Sequence, residues 1–248
     1  MESSKYRVEA STSFDPDWKP GDKQPCPYGN DMKTIVPSEH NCYPLVISAV
    51  LPRPIGFISS MNKEGLLNLA PYSYFQAVSH DPPCVMISTC RSGARGGARK
   101  DTQANIEETG EFVVNIMSEW FVEAANHTCG NFDPDVSEWD LCGLTPIPSR
   151  TVKPPRVQES ALHMECKLKH TYDITNAAGK VTTTVIIGEV VLFHVNKEIY
   201  EDNDGQGPPR VNFEKYMPMS RLGGNTYGRV LSTFDLARPD RAWQEKRS

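Results

Sequence analysis

The chain has 248 residues, 38% hydrophobic and 23% charged, a globular composition long enough for one sizeable core. Twenty prolines and 17 glycines exclude a bundle of long helices and favour short strands joined by loops. With 26 Lys plus Arg against 31 Asp plus Glu, the net charge of −5 gives a field that repels phosphate backbones and anionic membranes, so neither nucleic acid nor a membrane is an expected partner.

Residues 1–10 mix charges with serines and lack the apolar stretch of a signal peptide, and no uncharged run approaches the ~20 residues of a membrane span. Seven scattered cysteines without a C-x-x-C pair read as the reduced thiols of a soluble, cytoplasmic protein. Residues 1–37 are rich in Pro, Asp, Lys and Gly, without periodicity. They read as an N-terminal arm, because Phe14, Trp18 and Tyr28 would gain nothing in a purely solvated tail. The folded domain is expected over 38–230 and a charged C-terminal tail over 231–248.

Residues 44–50 are apolar and partly β-branched; with 55–60, beyond Pro52-Arg53-Pro54, they read as two strands or one bent strand. Asn62 to Gly65 is a turn. Strands are expected over 68–78 and 84–89, with the prolines of His80-Asp81-Pro82-Pro83 preventing ladder pairing between them. After a polar Gly- and Arg-rich loop, 91–99, Asp101 is expected to cap a helix that stops at Gly110. A strand over 112–117 and a second short helix capped by Ser118 follow, then a turn-rich acidic stretch, 131–155. Residues 161–174 and 181–195 form a hairpin about Asn176-Ala177-Ala178-Gly179, the second arm apolar enough in its middle to be buried on both faces. The fold class is mainly β, a barrel with short helical additions.

Three segments carry polar groups that packing alone does not explain. Asn68 to Phe75 alternates small polar side chains with aromatics, a wall suited to a flat heteroaromatic ring, although a plain edge strand with Pro71 gives the same pattern. Lys100-Asp101-Thr102 at a helix start can hold a phosphate through backbone N–H groups and the ammonium, although an ordinary capped helix reads alike. Residues 218–227 join Arg221 and Tyr227 through paired glycines, as a ligand-closing loop or a docked terminal segment would. No Walker or G-x-G-x-x-G motif, His pair at metal-ligand spacing or nucleophile elbow is present, so no metal site and no catalytic triad is expected.

Four motifs in order, Arg53-Pro54-Ile55-Gly56-Phe57-Ile58-Ser59-Ser60, Asn68-Leu69-Ala70-Pro71-Tyr72-Ser73-Tyr74-Phe75, Lys100-Asp101-Thr102 with Asn105-Ile106, and Thr109-Gly110-Glu111-Phe112-Val113-Val114-Asn115-Ile116, resemble the flavin reductase-like, FMN-binding split-barrel family in its flavoredoxin-like branch. The resemblance continues through Gly143-Leu144-Thr145, Glu165-Cys166 and Gly188-Glu189-Val190-Val191 to Arg221-Leu222-Gly223-Gly224, and covers about residues 43–228. It implies a Greek-key split barrel, a homodimer with FMN rather than FAD at the subunit interface, and NAD(P)H as co-substrate feeding a small-molecule acceptor. By motif, Ser59, Ser60, Lys100, Asp101 and Thr102 would hold the phosphate. Asn68, Leu69, Ala70, Tyr72 and Ser73 would line the ring, with Ser88 and Arg91 nearby and Arg221 and Tyr227 at its margin. Hydride transfer demands no acid or base, so no catalytic residue is assigned. The alternatives are an FMN electron carrier or small-molecule oxidase or reductase without NAD(P)H use, and a non-catalytic barrel module.

Overall fold

The computed structural model describes residues 7–202, 205 and 207–239; the ends of the arm and of the C-terminal tail lie outside them. The chain divides into two compact units, one formed by residues 44–229 and the other by the two terminal segments. In the terminal unit, Glu9 and Ala10 pair in parallel with Ser232 and Thr233. Phe14 and Tyr28 expose their rings almost entirely, so burial of these aromatics is not what orders the segment.

The larger unit is built on seven strands: β1 (Gly56–Met61), β2 (Leu67–Tyr72), β3 (Phe75–His80), β4 (Pro83–Cys90), β5 (Glu111–Ile116), β6 (Leu162–Thr175) and β7 (Val181–Val195). They form one antiparallel sheet in the order β2-β1-β5-β6-β7-β4-β3. One apolar cluster draws Ile58, Tyr72, Phe75, Val85, Ile87, Phe112, Val114, Cys166, Ile186 and Val190 from every strand, so the sheet curls around a shared interior. Gly188 belongs to that geometry, because a Cβ there would collide with the Phe112 ring. A second cluster, including Phe57, Leu69, Phe121, Trp139, Leu144 and Val157, fills the opposite face of β1 and β2.

The β6–β7 hairpin, the Asn62–Gly65 turn and strands β4 and β5 lie where the residue pattern places them, and Gly65 and Gly179 supply the positive φ their turns need. Other expectations are corrected. Residues 44–50 are helical: α1 (Tyr43–Ala49) takes Pro44 in its first turn, where a fixed φ and a missing N–H cost nothing, and Asn41 Oδ1 accepts the Tyr43 N–H. Residues 68–78 break into β2 and β3 at Ser73 and Tyr74. The prolines after His80 do not prevent pairing; His80 faces Pro83 across a tight connection, and Pro83 begins β4, where a strand tolerates proline. Alternate residues of β7 are buried, so only one of its faces packs inward.

The helix α2 (Asp101–Thr109) ends at Gly110 in the left-handed region, as expected, but its N-cap is Lys100, without a side-chain capping bond. Ser118 likewise caps nothing; its hydroxyl is buried without a partner among the described residues, ahead of a 3-10 turn and α3 (Val122–His127).

Candidate functional site

The site begins with the outer edge of β2, which is terminal in the sheet. In the β1–β2 ladder Leu69 faces Ser59, and its N–H points away from β1, donating to Glu138 Oε2 at 3.0 Å. By strand alternation Leu67, Leu69 and Pro71 therefore turn their backbone groups to this edge. Pro71 sits where an absent N–H breaks no ladder bond. Ser137 Oγ donates to the Leu67 carbonyl at 2.8 Å, so Ser137 and Glu138, just before α4 (Trp139–Cys142), clasp one end of the edge by side chains.

Beside this edge lies an open cleft of about 540 Å³, part of it continuous with solvent. Asn68, Ala70, Pro71 and Tyr72 form one wall and Lys100, Asp101 and Thr102 at the start of α2 another. The turn around Cys129 and Gly130 closes it, with Arg95 and Glu138 alongside. Asn68 Nδ2 donates to Thr102 Oγ1 at 2.8 Å, which ties strand to helix and leaves the remaining Asn68 and Thr102 valences fixed in direction. The Tyr72 phenol is also hydrogen-bonded to Thr102; burial pushes it above its ordinary range, with Thr102 offsetting part of the rise. Tyr72 therefore stays protonated.

The basic loop is less basic in space than in sequence. Arg95 makes a bidentate pair with Asp101 at 2.7 and 2.9 Å, Arg99 reaches Glu107 at 2.5 Å, and Arg91 lies 3.5 Å from Asp173 of β6. Lys100 is the exception. Its Nζ stands 5.8 Å above the Tyr72 ring, and among the described residues it has no carboxylate within salt-bridge reach. An uncompensated cation, the uncapped N–H groups of the first α2 turn and the Thr102 hydroxyl thus face one space, an arrangement that suits an anion.

The structure brings Asn68, Ala70, Tyr72, Lys100, Asp101 and Thr102 to the cleft, and Leu69 by its backbone edge. Ser59 and Ser60, neighbours on β1, point to opposite faces and are both closed to solvent. Ser60 Oγ accepts from Asn105 at 3.2 Å and Asn68 at 3.4 Å, so it braces the wall from behind; Ser59 Oγ has no partner among the described residues. Ser73, Ser88 and Arg91 lie outside the lining. Arg91 instead donates to Gln103 Oε1 at 3.1 Å. Arg221 and Tyr227 form a pair of their own, with guanidinium over ring at 4.5 Å and the phenol on Asn126 Oδ1 at 2.8 Å.

Sequence reasoning missed two residues. Glu138 sits in the turn-rich acidic stretch, where nothing local marks it as buried. Arg53, 6% exposed, donates to the carbonyls of Ile47 at 2.6 Å, Val50 at 2.8 Å and Leu222 at 2.8 Å, joining α1 to the Arg221–Gly224 loop beside Ser73. Its place in an X-Arg-Pro break was the only available signal.

The fold and site define a split barrel with a cleft, lined by Lys100 and Arg95, beside the outer edge of its terminal strand. Residues 48–215 match the family described as "Flavin reductase like domain", and the chain belongs to that family. Among solved structures it is similar to nitrilotriacetate monooxygenase component B from Bacillus cereus, with a TM-score of 0.77, 39% identity, and coverage of 84% of this chain and all of that one. It is also similar to 2-nitrobenzoate 2-nitroreductase NbaA of Pseudomonas fluorescens, with a TM-score of 0.72, 30% identity, and coverage of 84% and 98%. An uncharacterized protein of Aquifex aeolicus is 41% identical over 194 residues, 78% of this chain and 92% of its own length. The flavoredoxin of Desulfovibrio vulgaris, 22% identical with a TM-score of 0.60, shares the fold.

Proposed function

We propose that the chain is a flavoprotein oxidoreductase that holds FMN in the β2–α2 cleft, accepts hydride from NAD(P)H and delivers electrons to a small oxidised acceptor. The observation that carries this reading is the uncompensated Lys100 ammonium at the uncapped start of α2, opposite a strand edge that presents backbone groups. Lys100, Thr102 and the first-turn N–H groups hold the phosphate. The Leu69–Pro71 edge and the Tyr72 wall orient a ring whose rim needs hydrogen bonds and whose face needs apolar contact. Asn68, Thr102 and Ser60 keep that wall in place through their mutual bonds.

The flavin, when bound, supplies the hydride chemistry. The chain's residues fix the ring, hold the Tyr72 phenol protonated beside it and limit approach to one side. Arg95, already bonded twice to Asp101, orients that carboxylate and leaves Lys100 as the principal phosphate contact. Among the described residues no helix is long and apolar enough to cross a membrane, which accords with a cytoplasmic setting. Val78, Tyr172, Ile174, Val191 and Phe193 expose apolar side chains on β3, β6 and β7, which supports a homodimer in which a second copy covers them.

The test is direct. Purified protein should be yellow, and the released chromophore should have the mass of FMN. NADH or NADPH should bleach it under anaerobic conditions, with free flavin and a nitroaromatic compared as acceptors, since the names of the two structural neighbours point to a monooxygenase component and to a nitroreductase. Bound FMN with no reduction by either nicotinamide would favour an electron carrier or oxidase. Failure to retain any flavin would remove the reading.

A further inference from the structure

Glu138 is the group in the cleft that flavin binding leaves unexplained. Glu138 is 7% exposed and its carboxylate takes the Leu69 N–H, and because Pro71 has none, that is the outward backbone donor of the strand segment lining the cleft. The ionisable groups facing it are Arg95 and Asp101, locked to each other, Tyr72 on β2, Lys100 at the α2 start, and the thiols of Cys129 in the closing turn and Cys142 on α4. Burial raises the Glu138 carboxyl above the usual carboxylate range and Asp101 pushes it further. The Leu69 N–H, the N–H of Glu138 itself and Arg95 pull it only part of the way back.

An ionised carboxylate here opposes an anionic guest twice, by occupying a donor the guest's rim would use and by adding negative charge beside Asp101. We propose that Glu138 is a gate on flavin occupancy: ionised, it holds Leu69 and repels the flavin phosphate; protonated, it yields, so affinity for FMN rises as pH falls. The proposal rests on the reading of the cleft as a flavin site and names its specificity-setting residue.

Quenching of flavin fluorescence gives the FMN dissociation constant for the full chain and for Glu138→Gln and Glu138→Ala at about pH 8.5 and at about pH 4.5, the ordinary carboxylate value, at which a carboxyl raised above it is more than half protonated. Gln keeps an oxygen for the Leu69 N–H, so the fold persists, which a thermal unfolding midpoint within about 4 °C of the parent's verifies. Because the FMN phosphate itself titrates near pH ~6, the ratio of variant to parent at each pH is the quantity read. At the higher pH Glu138→Gln should bind on the order of tenfold more tightly than the parent, with Glu138→Ala at least as tight, and the ratio should shrink toward one at the lower pH. Equal affinities at both values, or a ratio independent of pH, would overturn the gate while leaving the flavin site intact. No FMN binding by any of the three proteins at either pH would sink the flavin reading, and the gate with it.

Discussion

Glu138 at the edge of β2 and Glu165 at the start of β6 are both buried carboxylates, yet the groups around them differ in number and so push them apart. Burial raises Glu165 as well, but Thr151 Oγ1 at 2.5 Å, the Arg150 N–H at 2.8 Å, His194 Nε2 at 2.6 Å and the Thr151 N–H at 2.6 Å outweigh it and bring the carboxyl down to about 2. An ionised carboxylate only accepts, so His194 donates from Nε2. Glu165 anchors the segment that runs from Arg150 to Val157, whose other ties include the Lys153 N–H on Glu111 Oε2 at 2.9 Å and the Val157 N–H on Asn115 Oδ1 at 2.9 Å. A carboxylate saturated with donors is a structural charge. One held by two backbone donors only, the Leu69 N–H and its own, as Glu138 is, remains above the usual carboxylate range.

The sharpest way to break this contrast is to neutralise each in turn. Glu165→Gln removes the charge and turns an amide N–H₂ toward two of the four donors, and should cost about 3–5 kcal/mol in denaturant unfolding. Glu138→Gln should cost about 1 kcal/mol or less, because the bond from the Leu69 N–H survives. Equal losses would mean that the two sites do the same job.

Lys100→Ala tests the cleft itself. It should weaken FMN retention by about 1.5–3 kcal/mol, the value of a hydrogen bond to a charged group, while the unfolding midpoint stays put; unaltered retention on dialysis would displace the phosphate from α2. Acid titration of stability sharpens the other side. Glu165 moves from an ordinary 4.5 to about 2 on folding, so its contribution is full above pH 4.5 and lost as pH falls toward 2. His163 moves from 6.5 to about 4, chiefly by burial, with the Val157 carbonyl opposing. Its folded form binds the proton less readily, so stability also falls between pH 6.5 and pH 4. Urea midpoints that stay flat from pH 7 to about pH 3 would contradict both assignments. The smallest effect belongs to Arg99→Ala, whose exposed pair with Glu107 should be worth under about 1 kcal/mol.

What could be read from the residues depended on whether the cause was local. The β6–β7 hairpin and the α2 stop at Gly110 follow from spacing and turn chemistry within short stretches, whereas the grouping of Asn68, Tyr72 and Lys100 is what the family resemblance implies. The helix α1 could not be read that way, because Leu45, Val46 and Ile47 favour a strand locally and its last carbonyls are satisfied by Arg53, outside the helix. The loop from Arg91 to Arg99 looked strongly cationic because its neutralising carboxylates, Glu107 and Asp173, lie on other elements. The resemblance implies a phosphate role for both Ser59 and Ser60, and as neighbours on a strand the two side chains lie on opposite faces, with Ser60 alone bonded to Asn68 and Asn105. Glu138 was invisible for the same reason as Arg53: its burial is set by the edge of a distant strand.

The free edge of β2 has a bearing on solubility as well as on ligands. A naked strand margin is a template on which another polypeptide can zip up, and chains left with one tend to polymerise. Here a missing amide at Pro71 and two side chains grafted across Leu67 and Leu69 spoil that template without covering it, so a foreign strand finds no continuous ladder. Replacing Pro71 and Ser137 together would then be felt first in the test tube as turbidity.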